Sequence, residues 1–243
     1  KKAQSQGLDP VATRLDAKEE VLLAHNNLAL LFKDRGELER AERHLDRAVD
    51  IARDCGLKRY QAMALGNRAE VLTLAGQHER AGRDLDTSMH LATEIGSRDE
   101  LLECGRRRAA LSLASGKPEA ALAEARTAAE AAEERDDPVE RGNALLVACA
   151  AGRALGQLEE AEKDLQTVVE SFENAGTDLD RARANLEKAH LAAAYGQESA
   201  AREAAREAAR VFSAIGAERE LNAARQLEDG GHSAVRAQAI LDL

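Results

Sequence analysis

Glycine recurs at 36, 76, 116, 156 and 196, always forty residues apart, and a fixed period of this size marks one supersecondary unit stacked on copies of itself. Five residues after each glycine stands an alanine (Ala41, Ala81, Ala121, Ala161, Ala201), and four further on an apolar residue (Leu45, Leu85, Ala125, Leu165, Ala205). Seven before it is a small one: Ala29, Ala69, Ala109, Cys149 and Ala189. A second series sits half a period away at Gly56, Gly96, Gly176 and Gly216, with Asp136 in the remaining place. A helix breaker therefore comes about every twenty residues, each time in the same register.

Between breakers the apolar residues follow helical spacing. Leu28, Leu31 and Phe32 share one stripe, and Ala41, Leu45, Ala48, Val49 and Ala52 another. Each unit is thus expected to be a pair of helices. Glycine supplies the left-handed backbone that ends each helix, and small residues let the partners approach closely. With 2% aromatic residues and no Trp, the core must be filled by Ala, Leu, Val and Ile, which favours an all-α chain. The pairs are placed at 17–55, 57–95, 98–135, 138–175 and 178–215. Residues 1–16 are expected to be a leader or the remnant of a preceding helix, and 217–243 a C-terminal cap, with a partner-docking tail as its alternative.

The segment Asn26 to Ala52, NNLALLFKDRGELERAERHLDRAVDIA, resembles a tetratricopeptide repeat of the longer kind, close to forty residues, as in kinesin light chains and bacterial regulators. Ala29, Gly36, Ala41 and Ala48 carry the match, and it recurs in phase over 17–216. The resemblance implies a right-handed α-solenoid of about five helix pairs plus a capping segment. It departs from the family at Ser112, Gly152 and Ala192, where a bulky aromatic is usual. HEAT-type pairs share a similar period but not the glycine-to-alanine register.

Catalytic and metal motifs come close without completing. His78-Glu79 begins like a zinc-protease helix, but Gly82 occupies the place of the second His; Gly116-Lys117 resembles the end of a P-loop, but Pro118 follows where Ser or Thr must bind magnesium. The six histidines share no ligand-like spacing and are expected on helix surfaces, and the acids pair with Arg at three- and four-residue spacing as solvated helix faces. No enzyme, metal or cofactor is expected within these residues. A net charge of −10 opposes nucleic acid and anionic lipid. Uncharged apolar runs fall short of the roughly 20 residues that cross a bilayer. Cys55, Cys104 and Cys149, odd in number and far apart, suggest buried free thiols in a reducing compartment, so a cytoplasmic location is expected. The opening Lys1-Lys2-Ala3, with neither Met nor a signal segment, suggests a piece of something longer.

Recognition remains. In the resembling family the first helices line the concave face, and the position nine before the turn glycine points into it: Asn27, Asn67, Arg107, Val147 and Glu187 here. An Asn amide both donates and accepts, so Asn26, Asn27 and Asn67 are candidates for holding the backbone of an extended peptide; their alternative is capping or solvation. Arg106-Arg107-Arg108 is the densest positive cluster, and with Lys33 and Arg68 in neighbouring helices it suits an acidic peptide or a C-terminal carboxylate. Three consecutive residues fan over 200° of helix, so only one or two can face a groove. Asn26, Asn27, Lys33, Asn67, Glu70, Arg106 and Arg107 form the expected partner-binding set. Val147, Ala150, Leu186 and Ala193 make the C-terminal part of the groove more apolar. Two functions stay open: an interaction scaffold for a protein or peptide, or the sensory and regulatory region of a larger bacterial signalling protein.

Overall fold

A computed structural model describes residues 10–230; of 10–14 and of Asn174 only the backbone is described. The described chain is wholly helical, with eleven helices in sequence: α1 Pro10–Asp34, α2 Leu38–Asp54, α3 Lys58–Leu74, α4 His78–Glu94, α5 Arg98–Ala114, α6 Pro118–Glu133, α7 Pro138–Ala154, α8 Leu158–Ala175, α9 Asp178–Ala194, α10 Glu198–Ile215 and α11 Glu218–Glu228. Of the segment 1–16, residues 10–16 are part of α1, and 1–9 lie outside the described residues. The segment 231–243, expected to complete the cap or to dock a partner, lies outside the described residues.

The turns explain the period. At the first, Gly36 N–H donates to Lys33 O at 2.8 Å and Glu37 N–H to Phe32 O at 2.8 Å, a Schellman motif that closes the last turn of α1 and needs left-handed backbone at Gly36, where φ is +74°. The residue after the glycine is already the N-cap of the next helix, so each link is short and its direction fixed. Asp136 adopts φ 54° in the same role without glycine's freedom. Gly176 departs from its series. Its backbone is extended (φ −77°, ψ 155°), because Thr177 and Asp180 start α9 at once with a reciprocal capping box. Glycine is required there for space: a Cβ would lie 2.7 Å from Phe172 Cβ.

The repeated alanines sit where helices touch. Ala41, Ala81, Ala121, Ala161 and Ala201 are at most 1% exposed, as are Ala29, Ala69, Ala109, Cys149 and Ala189. Odd-numbered helices also meet their neighbours two along, α1 with α3 through to α9 with α11, so they form the inner layer and the even-numbered helices the outer one. A solenoid in which each pair touches only its neighbours is not what results. The array turns far enough for α1 to touch α11, and the inner face becomes a narrow interior.

Candidate functional site

The inner wall of α1, α3 and α5 carries a polar ladder. Asn67 Nδ2 donates to Asn26 Oδ1 at 2.7 Å, and Arg107 Nη2 donates to Asn67 Oδ1 at 2.7 Å. Beside it Lys33 Nζ donates to Glu70 Oε1 at 2.6 Å, Arg107 Nε to Glu70 Oε2 at 3.4 Å, and Arg107 Nη2 lies 2.7 Å from Glu103 Oε2. Arg107 is 6% exposed and its Nη1 has no partner among the described residues. The ladder uses Asn26, not Asn27: Asn27 is exposed, because the rung from Asn67 runs back 41 residues, one more than the period.

The arginine triplet divides three ways. Arg107 enters the ladder, Arg106 Nε reaches forward to Glu140 Oε1 on α7 at 2.8 Å, and Arg108 Nη2 reaches back to Asp86 Oδ1 on α4 at 2.5 Å. The charges continue as Arg153 to Glu187 at 3.0 Å and Arg183 and Arg219 to Glu220, each at 3.0 Å. Burial pushes the Asp34 carboxyl up, opposed by Lys33 and Arg183 and reinforced by Glu220. Burial favours the neutral form of Glu70, but Lys33, Arg107 and Arg106 together outweigh it and hold its carboxyl well below the usual range. For Glu140 burial outweighs Arg106 and the carboxyl is pushed up. Glu70, Arg106 and Arg183 nevertheless keep 20–23% of their side-chain surface accessible.

Two features were not foreseen. Glu100, Glu140, Asp180 and Glu220 are buried, so these acids are not solvated faces. Each is the third residue of its helix, where free N–H groups favour a carboxylate, and their forty-residue spacing was visible in the sequence. His190 is 5% exposed, not a surface residue. Burial first, and Arg153 second, lower its pKa to about 3, and neither ring nitrogen has a hydrogen-bond partner among the described residues. Cys55, Cys104 and Cys149 are free, Cys55 only half-buried; burial pushes the Cys104 and Cys149 thiols up, so they stay protonated. No group of three His, Cys, Asp or Glu among the described residues could hold a metal ion, and no described helix is long and apolar enough to cross a membrane.

No protein-family model and no curated protein sequence matches the chain. Solved structures do. A Rap protein complexed with Competence and Sporulation Factor aligns with a TM-score of 0.72 at 16% identity over 97% of this chain and 69% of its own. A signal-transduction ATPase with a tetratricopeptide repeat sensor from Pyrococcus horikoshii aligns at 0.62 and 19% over 93% of this chain but only 35% of its own. A putative kinesin light chain from Podosopora anserina, with nearly identical tetratricopeptide-like repeats, aligns at 0.54 and 18% over 80% of this chain and 96% of its own. At such identities the likeness concerns the fold, and it coincides with the glycine-anchored helix pairs and the inner layer of odd-numbered helices: the chain has the α-solenoid fold of tetratricopeptide-repeat proteins.

Proposed function

We propose that these residues form a non-catalytic interaction module that holds a segment of a partner protein against the inner wall, at Asn26, Asn27, Lys33, Asn67, Glu70, Arg106 and Arg107. The observation that carries this is the ladder of α1, α3 and α5, whose amides, guanidinium and carboxylate already exchange hydrogen bonds at peptide-like distances. An extended backbone offers the same donors and acceptors, so it exchanges partners with the wall instead of stripping it bare. The Rap protein named above is described in complex with a factor, which is in keeping with a ligand-holding solenoid.

The partner segment is expected to carry acidic groups, because Arg106 keeps 20% of its side-chain surface accessible and burial pushes up the carboxyl of Glu140, its partner on α7, so a partner's carboxylate can compete for it. A pull-down comparing wild type with Arg106→Glu and Asn67→Ala tests this. Each substitution should weaken capture by about 1–3 kcal/mol, and salt should act mainly on the Arg106 share. Arg107 is unsuited to charge reversal, since it is buried against Glu70 and Glu103. Unchanged capture by both variants moves the site elsewhere.

The contact between α1 and α11 supports a second reading, a sensory region of a larger signalling protein. Ligand in the interior would bias closure of the two ends, with Asp34, Arg183 and Glu220 as the groups that feel it. Small-angle scattering of the chain with and without a captured partner segment tests that reading through the change in dimensions.

A further inference from the structure

Numbering the helix pairs from α1–α2 as repeat 1, repeat 3 (α5 and α6) lacks, position by position, what closes repeat 2 (α3 and α4). In repeat 2 Arg68 clasps Asp84 across α3 and α4 with two bonds of 2.7 and 2.9 Å and also reaches Asp46 at 2.9 Å, while Leu65 is 4% exposed and Leu91 packs beside it in the core. Forty residues on, Leu65 is replaced by Gly105 and Leu91 by Ala131. Glu124, the counterpart of Asp84, is drawn away by Ser112 Oγ at 2.6 Å. Among the described residues Arg108, the counterpart of Arg68, keeps only the solvent-edge Asp86 and a weak contact to Met89 Sδ, and its Nε is buried without a partner there. The result is a groove of about 720 Å³ between α5 and α6, floored by Leu101, Leu102 and Ala128 and flanked by Arg98, Arg108 and Arg135. Its volume lies within the roughly 300–1,000 Å³ of ligand sites.

We infer that this groove is a second binding site, for an acidic amphipathic segment of a partner protein that supplies in trans the groups repeat 3 has lost: aliphatic side chains over Gly105 and Ala131, and a carboxylate for Arg108. Charge complementarity fixes the partner's sign. Arg98, Arg108 and Arg135 outnumber Glu124 and Glu134 around the apolar floor, in a chain of net charge −10; Arg108 and Arg135 are already paired with Asp86 and Asp99, whereas Arg98 has no carboxylate partner among the described residues. The inner wall plays no part, so the site stands or falls independently of the proposed function.

The test is selection of a phage-displayed random-peptide library on the full chain, followed by binding of the selected peptides to two variants. Gly105→Leu restores the side chain of repeats 2 and 4; its Cβ meets Ala128 Cβ at an ordinary 3.6 Å, so the variant should fold and melt no lower than wild type. Peptides pairing Leu, Ile or Phe with Asp or Glu are expected, and Gly105→Leu should weaken them by about tenfold or more, equal to 1.4 kcal/mol. Arg108→Gln should weaken them less, with a reduced salt dependence. The inference is overturned if selected peptides bind Gly105→Leu as tightly as wild type, if they carry no carboxylate, or if they respond only to Arg106→Glu on the inner wall. It is equally overturned if the aliphatic carboxylate decanoate occupies the groove while no peptide does.

Discussion

The inner wall changes character half way along. In α3 the positions ten, nine and six before the turn glycine are Gly66, Asn67 and Glu70; in α7 the same positions are Leu146, Val147 and Ala150, all at most 4% exposed. Both helices span seventeen residues and end in the same kind of turn. Period and register therefore fix where a side chain goes and leave free what it does there. The consequence is energetic: in α3 and α5 each polar group depends on named partners, whereas in α7 contacts are shared among many apolar neighbours.

The largest expected effect breaks the polar half. Glu70→Ala removes the hydrogen-bonded partner of Lys33, leaving it only Asp34 at 4.0 Å, and one of the partners of Arg107, both cations being at most 9% exposed; weakening the pairing of buried cations in this way costs about 3–5 kcal/mol. Because the folded pKa of Glu70 is depressed, its contribution is fully present above its unfolded value near 4.5 and is lost as pH falls through the lower folded value. Denaturant melts at pH 7 and at progressively lower pH should thus converge for wild type and variant. Phe172→Ala makes the matching cut in the apolar half. Phe172 is 1% exposed beside Gly142, where a Cβ would overlap its ring at 2.4 Å, so the loss should again be about 3–5 kcal/mol. Here wild type and variant should differ by the same amount at every pH.

Much of this architecture was legible in the sequence. Glycine and alanine columns report backbone conformation and closest approach, and these are local demands that only a few residues meet. The all-helical solenoid followed from them. The site was legible in part: Asn67, Glu70, Arg107 and Lys33 were singled out, but their mutual bonds depend on a 41-residue rung and a 37-residue one, offsets set by how adjacent pairs slide and not by the period. The contact of α1 with α11 was invisible for a related reason, since it sums small rotations over five pairs. The groove of repeat 3 is different. Gly105 and Ala131 stand out once the repeats are aligned, but only the structure shows that Ser112 also takes Glu124 away.

A smaller effect, dependent on pH, sharpens the contrast at the C-terminal end. His190 occupies the position that Glu70 holds three pairs earlier, and its folded pKa of about 3 lies below the unfolded 6.5. Between those values the unfolded chain binds the proton and the folded one does not, so wild type loses stability as pH falls from 6.5, by up to about 1.4 kcal/mol per unit. His190→Leu removes two unpartnered nitrogens and should abolish that share of the acid sensitivity with little loss at pH 7. Melting curves between pH 7 and 4.5 check it; an unchanged acid slope would mean that His190 is solvated.

The smallest expected effect lies at the junction of the two halves, in the turn from α6 to α7. Asp136 takes φ 54° where most of the other turns have glycine, and left-handed backbone strains a residue that carries a Cβ. Its turn is otherwise like its neighbours, with Asp136 N–H donating to Glu133 O and Asp137 N–H to Ala132 O at 3.1 and 3.0 Å. Asp137 already caps α7 by accepting from Glu140 N–H at 2.9 Å, so the Asp136 carboxylate adds no cap that glycine would remove. Relief of strain and glycine's larger freedom in the unfolded chain act in opposite directions, and the strain is the larger of the two at a positive φ. Asp136→Gly should therefore stabilise the chain by roughly 0.5–1 kcal/mol, read as a higher melting temperature with an unchanged helical spectrum. A lower melting temperature would show that Asp136 holds the junction through its side chain, and that the two halves are joined by something other than the turn that joins the other pairs.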